Sequence, residues 1–324
     1  MGVPSVVSKS ATPWRRCQQA TARSGGASGR PRPAAVVTAS ATASPFSQPG
    51  YGVRFDWGLA GAAELSTAAG ATVVVDVLSF STAVTIAVGR GTVVYPHQWP
   101  SPDAAPFAAE RGAVCAVRRR LVDADHPWSL SPAHLLAAPA VERLVLPSPN
   151  GSTIAAAATG TVLVACLRNA GAVAGWLLER GFGAPGRPVS VVAAGERWPD
   201  GALRPALEDL LGSGAVIASL AGGTGGSRRG VAGEAHGSIS PEAAAAVAVW
   251  RAHCAGLVAA MSASASGREL AEAGYQEDVA LASELDVQGQ VPLLVEGAFI
   301  DVATRPGAEG EGAAAGAPGT GPVP

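Results

Sequence analysis

The chain has 324 residues, 48% of them hydrophobic, and a formal net charge of −2, which suits a globular enzyme with a sizeable core. The near balance of charge gives no basic field for nucleic acid, and no uninterrupted apolar run reaches the roughly 18 residues of a membrane span. Lys9 is the only lysine, so a lysine Schiff base or a Walker-type lysine is excluded from the folded part. The four cysteines are widely separated and form no zinc-binding pattern. We therefore expect a soluble, cytoplasmic protein without a nucleic-acid or membrane partner.

Composition divides the chain into three parts. Residues 1–48 are rich in Ser, Ala, Thr, Pro and Arg and contain no acidic residue, which predicts a disordered basic leader. A transit peptide and a nucleic-acid-binding arm are the weaker alternatives for this leader. Residues 49–304 are expected to form one domain with a flexible glycine-rich insertion at 221–238, and residues 305–324 a disordered Gly, Ala and Pro tail.

From residue 71 onwards, short runs of β-branched residues alternate with segments of helical character. The predicted strands are 71–78, 92–96, 113–117, 143–146, 161–167 and 188–194, and 291–300 is expected to close the fold as an extended segment. The predicted helices are 83–88, 103–111, 129–137, 204–219, 241–260, 267–274 and 275–284. This alternation predicts an α/β fold with a largely parallel sheet and helices on both of its faces.

Segment 141–174 reads as strand, polar loop, short helix, strand, polar loop and helix. Polar residues that could hold an anion follow both strands: Asn150, Gly151, Ser152 and Thr153 after the first, and Arg168 and Asn169 after the second. We predict that the two loops share one edge of the sheet and bind a phosphate or sulfonate group. The plainer interpretations are an Asn-Gly turn and an arginine that faces solvent.

Acidic residues lie at two further strand ends. Asp76 interrupts a β-branched run and is followed by Ser79, Ser81 and Thr82, whereas Gly195 and Glu196 precede a helix that carries Glu208 and Asp209. A buried, unpaired Asp76 would cost several kcal/mol, so it requires a cation, an arginine or hydrogen-bond donors.

These carboxylates, together with Glu277 and Asp278, are of the kind that Mg²⁺ prefers. Adjacent helical residues point about 100° apart, so only one of Glu208 and Asp209 is expected to face a site. A salt-bridged structural role for Asp76 and a solvated acidic helix face are the alternatives. His97, just past a strand end, is the one histidine kept as a possible acid or base.

An ordered set of short motifs resembles the 2-phosphosulfolactate phosphatase, or ComB-like, family over about residues 51–303. The motifs are Val-Val-Asp-Val-Leu (74–78), Pro-Asn-Gly-Ser (149–152), Ala-Cys-Leu-Arg-Asn-Ala (165–170), Ala-Ala-Gly-Glu (193–196), Leu-Glu-Asp-Leu (207–210) and Tyr-Gln-Glu-Asp (275–278). The resemblance implies the family's own α/β fold and a Mg²⁺-dependent phosphomonoesterase. It also implies a small substrate with phosphate and sulfonate groups on a route towards coenzyme M. Many members carry Arg directly after the Asp-Val-Leu segment, where this chain has Ser79.

We therefore predict a Mg²⁺-dependent phosphatase in which Asp76 and Asp209 hold the metal and Asp76, Asp209 and Glu208 are catalytic. The predicted substrate-binding residues are the polar residues of the strand ends: Ser79, Ser81, Thr82, Asn150, Gly151, Ser152, Thr153, Arg168, Asn169, Gly195 and Glu196. Attack by a metal-bound water and direct attack by Asp76 are both open. The alternatives are a different phosphorylated hydroxy acid as substrate and a catalytically silent anion-binding domain. Homo-oligomerisation is also possible.

Overall fold

One mixed sheet organises the chain in the computed structural model, which describes residues 44–68, 70–99, 101–222 and 239–303. Within these residues the sheet has nine strands in the order β1-β7-β2-β6-β10-β11-β3-β5-β4, and β8 pairs with β9 in a separate small ribbon. The strands are β1 (Val53–Trp57), β2 (Ala71–Val75), β3 (Val93–Gln98), β4 (Val114–Cys115), β5 (Arg143–Ser148), β6 (Thr161–Ala165), β7 (Val189–Ala193), β8 (Glu196–Arg197), β9 (Leu203–Arg204), β10 (Pro292–Val295) and β11 (Ala298–Asp301).

The sheet consists of two parallel groups joined by an antiparallel hairpin. Strands β1, β7, β2 and β6 pair in parallel, as do β3, β5 and β4. The hairpin β10–β11 lies between the groups and pairs antiparallel with β6 on one side and with β3 on the other. Three successive antiparallel pairings mean that β3, β4 and β5 run opposite to β1, β2, β6 and β7.

Helices cover both faces of the sheet, as predicted. They are α1 (Gly58–Leu65), α2 (Phe80–Gly89), α3 (Ala104–Glu110), α4 (Pro132–Ala137), α5 (Gly151–Ala157), α6 (Ala170–Glu179), α7 (Leu207–Gly222), α8 (Pro241–His253), α9 (Leu257–Ala263), α10 (Ala265–Glu272) and α11 (Gln276–Ala282). Short 3₁₀ turns occupy Pro45–Ser47, Arg119–Leu121, Leu167–Asn169 and Cys254–Gly256. The expected α/β fold is confirmed.

Alternation along the central strands produces two hydrophobic cores. Val73 and Val75 of β2 pack with residues of α6, α7 and α8 on one face of the sheet, whereas Val74 packs with residues of α1, α2 and α5 on the other. All three valines are fully buried, because a strand with helices on both faces has no solvent-facing side. This double burial explains why β2 reads as an unbroken run of β-branched residues.

Three features differ from the sequence-based expectations. β1 and α1 were not predicted, and the apolar segment 291–300 forms the hairpin β10–β11, which turns at Glu296 and Gly297 with positive φ angles of 50° and 80°. The side chain of Gln48 is buried and hydrogen-bonds the backbone of Phe55, so residues 44–48 belong to the folded domain rather than to the leader. Residues 1–43 of the predicted leader, 223–238 of the predicted insertion and the tail from 304 lie outside the described residues.

One described segment, Pro241–Ala263, is long and apolar enough to cross a membrane by length and composition, with a mean hydropathy of 1.5. Within its most apolar 18-residue window, 28% is buried. Its buried side chains, among them Ala246, Trp250 and Met261, pack into the core that α6 and α7 share. The segment therefore contributes a helical layer to the α/β domain.

Candidate active site

Four carboxylates gather where β2 and β7 end and α7 begins. Asp76 follows β2, Glu196 follows β7, and Glu208 and Asp209 lie in the first turn of α7. Asp76, Glu208 and Asp209 are buried, and Glu196 is partly buried. The parallel neighbours β2 and β7 end side by side, which explains why residues far apart in sequence meet here.

Asp76 is held by two backbone N–H groups. Its Oδ1 accepts from Phe80 N at 3.2 Å and its Oδ2 accepts from Gly151 N at 2.9 Å. Burial raises the pKa of Asp76 to about 6, and these two hydrogen bonds oppose the increase only in part. A Cβ at position 151 would lie 2.7 Å from Asp76 Oδ2, so glycine is required at the start of α5.

The Asp76–Gly151 contact joins the two parallel groups of the sheet. Helix α5 follows β5 but packs against both β2 and β3, although β2 and β5 are five positions apart in the strand order. The ends of β2 and β5 therefore meet at one site even though the two strands run in opposite directions within the sheet.

Asp209 ties two strand ends together from behind the site. Its Oδ1 accepts from Val77 N at 2.7 Å and its Oδ2 accepts from Gly195 N at 2.8 Å. Burial, followed by the charges of Asp76 and Glu208, raises the pKa of Asp209 well above its usual value. Both oxygens of Asp209 hold backbone N–H groups, and Asp209 does not line the cavity that Asp76 and Glu196 line.

Glu196 and Glu208 complete the cluster. Glu196 Oε2 accepts from Asn150 Nδ2 at 3.0 Å, and burial together with the charges of Asp76 and Glu208 raises its pKa to about 7. Glu208 is only 2% exposed, and its carboxylate receives no hydrogen bond from the described residues. The alternative interpretation of the Glu208–Asp209 pair as a solvated acidic helix face is wrong, because both residues are buried.

A cavity of about 610 Å³ opens in front of Asp76 and Glu196. Its wall includes polar side chains from several loops and one basic turn: Ser79, Ser148, Asn150, Arg118, Arg119, Arg120 and Tyr275. Ser148 Oγ is buried and has no hydrogen-bond partner within the described part of the chain. The volume suits a small molecule, and the wall combines carboxylates with cations.

Several predicted substrate-binding groups are engaged in internal hydrogen bonds. The hydroxyls of the four predicted Ser and Thr residues on α2 and α5 donate to main-chain carbonyls: Ser81 to Val74, Thr82 to Val77, Ser152 to Ser148 and Thr153 to Pro149. The N–H groups of Gly151 and Gly195 donate to Asp76 and Asp209. These residues shape the site and do not offer free donors to an anion.

Arg168 and Asn169 are not part of the cavity wall. Arg168 donates to Gln288 Oε1 and to the carbonyl of Leu281, and it forms an ion pair with Glu284. Asn169 caps the N–H of Cys166 and donates to the carbonyl of Gln290. The structure does not bring this loop into the cavity wall with Asn150, because the side chains of Arg168 and Asn169 are bound to the segment 281–290.

The structure adds two residues that the sequence analysis did not assign to the site. Arg119, within the Arg118–Arg120 cluster, donates to Ser79 Oγ at 2.7 Å and to Asp278 Oδ2 at 3.1 Å. Asp278 is therefore an ion-pair partner, while Glu277 is exposed and His97 lies outside the cavity wall. The run of three arginines was the feature of the sequence that could have indicated a basic part of the site. Its place in the cavity wall is visible only in the folded chain.

The profile of the family described as 2-phosphosulpholactate phosphatase matches residues 60–297. This chain belongs to that family. The match covers the carboxylate cluster, the cavity wall and the hairpin β10–β11. The protein is accordingly a phosphoric monoester hydrolase by family, and a small phosphorylated substrate follows from that membership. No curated protein matches the chain.

Proposed function

We propose that this protein hydrolyses 2-phosphosulfolactate to 3-sulfolactate and phosphate in a Mg²⁺-dependent reaction, as a step of a coenzyme M type pathway. The observation that carries the proposal is the cavity whose wall contains both Asp76 and Glu196 and a basic turn. A phosphate ester that also bears acidic groups needs a cation at its phosphoryl end and basic side chains at the other end. The cavity offers positions for both.

The donor set fits a magnesium ion. Burying carboxylates close together is unfavourable unless positive charge compensates them. The pKa values of Asp76, Glu196 and Asp209 are raised because this compensating charge is insufficient within the protein. No group of three or more His, Cys, Asp or Glu side chains is arranged as a metal site in the described residues. Mg²⁺ commonly takes one or two protein carboxylates and completes its shell with water and phosphate oxygens.

Asp76 and Glu196 are the two carboxylates on the cavity wall, and we propose them as the magnesium ligands. Glu208 is buried and does not line the cavity. Its negative charge contributes to the raised pKa of both Asp76 and Glu196. A bound Mg²⁺ would supply neutralisation of the charge on a phosphoryl group. Asp209 holds the N–H groups of Val77 and Gly195, so it fixes the strand ends from which the two ligands project.

The phosphoryl group would be bound by donors of the same wall. Ser148 Oγ has no partner among the described residues, and Asn150 and Ser79 carry polar groups into the cavity. We propose water as the nucleophile, because both oxygens of Asp76 already accept backbone hydrogen bonds that reduce their nucleophilicity. Direct attack by Asp76 is the competing route, and it predicts a phosphoenzyme that survives an acid quench in a rapid-quench experiment and is cleaved by hydroxylamine.

A phosphate-release screen tests the proposal. The purified chain is incubated with 2-phosphosulfolactate, 2-phospholactate, 2-phosphoglycerate and 3-phosphoglycerate, each with Mg²⁺ and with EDTA. We expect release from the phosphorylated hydroxy acids only with Mg²⁺ and the highest kcat/KM for 2-phosphosulfolactate. A higher kcat/KM for one of the other acids would replace the substrate but keep the reaction. Calorimetric binding without any phosphate release would contradict the proposed enzyme and indicate a silent anion-binding domain.

A further inference from the structure

One cation of the cavity wall, Arg119, is fixed in place from two sides. Arg119 begins a 3₁₀ turn, and its Nη2 donates to Ser79 Oγ at 2.7 Å and to the carbonyl of Leu130 at 3.4 Å. Its Nε donates to Asp278 Oδ2 at 3.1 Å. The guanidinium therefore bridges the segment after β2 and the start of α11.

Asp278 is a rigid anchor for this arginine. Its side chain is 1% exposed, and its Oδ1 accepts from Ser131 Oγ at 2.5 Å and from Ala133 N at 3.0 Å. Because each carboxylate oxygen accepts a hydrogen bond, the Asp278 side chain is held in one orientation. It holds the Arg119 guanidinium at the wall in a defined orientation.

Arg119 keeps donors that the protein does not use. A guanidinium carries five N–H groups, and Arg119 donates through Nε and Nη2, whereas its Nη1 makes no hydrogen bond to the residues that the structure describes. The side chain is 21% exposed and lines the same cavity as Asp76.

The two neighbouring arginines are held differently. Arg118 lies over the ring of Trp99, 4.9 Å from its centroid, and Arg120 is exposed and makes no side-chain hydrogen bond to the described residues. A mobile, hydrated cation discriminates poorly between anions, whereas an arginine held by a buried carboxylate is preorganised for one. Arg119 is therefore the candidate for specific recognition.

We propose that Arg119 binds the second acidic group of the substrate, the carboxylate or the sulfonate, and so restricts the enzyme to phosphate esters of hydroxy acids. This inference rests on the proposed function and adds the residue that sets the substrate class. Asp278 acts through Arg119 as its positioning residue. The alternative is that Arg119 serves only as the counter-ion of buried Asp278, in which case its removal would affect all phosphate esters alike.

Matched substrates separate these two roles. 2-Phospholactate and isopropyl phosphate differ only by a carboxylate in place of a methyl group, and 2-phosphosulfolactate differs from 2-phospholactate by its sulfonate. We expect Arg119→Gln to lower the kcat/KM ratio of one matched pair by about ten- to hundredfold, the range of a charge-assisted hydrogen bond. A change in the first ratio assigns the carboxylate, and a change in the second assigns the sulfonate. Unchanged ratios in both pairs would overturn the proposal.

Two further variants control for charge and folding. Arg120→Gln removes the same charge one residue away, and we expect it to change either ratio by less than about threefold. An effect as large as that of Arg119→Gln would show a general basic field and refute the specific role. The double variant Arg119→Gln, Asp278→Asn removes the ion pair as a unit and avoids an unpaired buried carboxylate. It should reproduce the loss of discrimination with a folded protein.

The same variants remain informative if the wild type releases no phosphate, an outcome that would refute the proposed function by itself. Calorimetry then compares the binding of 2-phosphosulfolactate, 2-phospholactate and isopropyl phosphate to the wild type and to Arg119→Gln. An affinity ratio for a matched pair that falls in the variant supports recognition by Arg119. Equal ratios in both proteins would overturn it.

Discussion

We expect Glu196→Gln to raise the free energy of unfolding of the protein and to lower its phosphatase activity. Burial and the charges of Asp76 and Glu208 raise the pKa of Glu196 from 4.5 to about 7, so its ionised form is disfavoured in the folded state. Glutamine keeps the shape and a carbonyl oxygen that can accept from Asn150 Nδ2, as Glu196 Oε2 does at 3.0 Å. The substitution therefore removes the charge with little change in packing.

The size of this stability change and the pH range in which it appears follow from the linkage between proton binding and folding. A carboxyl group whose pKa is higher in the folded than in the unfolded state takes up a proton on folding, so stability falls as the pH rises from about 4.5 through about 7. That displacement corresponds to about 3 kcal/mol when the group is fully ionised in both states. Because Glu196 is only partly buried, solvent screening reduces the expected effect to about 1–3 kcal/mol at pH 8.

Urea unfolding in EDTA at pH 5 and pH 8 measures the effect. We expect Glu196→Gln to raise the free energy of unfolding by about 1–3 kcal/mol at pH 8 and by less than about 1 kcal/mol at pH 5. Added Mg²⁺ should stabilise the wild type at pH 8 and the variant much less. Glu179→Gln, the same change at an exposed position of α6, should alter stability by less than about 0.5 kcal/mol.

Either of two results would refute this reasoning about Glu196. The first is a variant that is less stable than the wild type at pH 8. The second is an equal gain at both pH values, because an effect that does not depend on pH cannot come from an ionised carboxylate.

Two further substitutions test the site geometry. Gly151→Ala should lower stability by about 1–3 kcal/mol and reduce phosphate release, because the new Cβ would lie 2.7 Å from Asp76 Oδ2. Gly256→Ala, whose Cβ meets no atom of the described residues within 4 Å, should change both much less. Arg168→Gln should lower the free energy of unfolding by about 1–3 kcal/mol, because the ion pair with Glu284 and its neighbouring hydrogen bonds are lost. The KM of this variant should stay unchanged. A tenfold increase in KM would instead indicate that Arg168 binds the anionic substrate.

Local patterns in the sequence were sufficient for most of the α/β fold. Doubly buried strands such as β2 and β6 appear as runs of β-branched residues, and the helices α2 and α6 are preceded by the polar N-cap residues Ser79 and Asn169. The hairpin β10–β11 was not recognised as two strands, because its turn is short and both strands are apolar. Its position between β6 and β3 depends on long-range pairing that no local pattern records.

The same limit applies to the candidate site. Asp76 was correctly expected to need donors or a cation, because an acid in a buried strand end must be compensated. The anion-binding role of Arg168 assumed that its loop joins the loop at Asn150, but Arg168 is instead bound by Gln288, Leu281 and Glu284. Arg119 and Asp278 are 159 residues apart, so only the folded chain reveals their pairing.

Phosphate release by wild type and Asp76→Asn, each titrated with Mg²⁺, tests the proposed mechanism most directly. The substrate is the hydroxy-acid phosphate with the highest wild-type kcat/KM, and circular dichroism confirms that the variant is folded. The proposed mechanism predicts wild-type turnover that depends on Mg²⁺ and at least a hundredfold loss in Asp76→Asn at every Mg²⁺ concentration, in the range of lost electrostatic stabilisation at an active site. Full Mg²⁺-dependent turnover by Asp76→Asn would contradict both the metal role and direct attack by this residue.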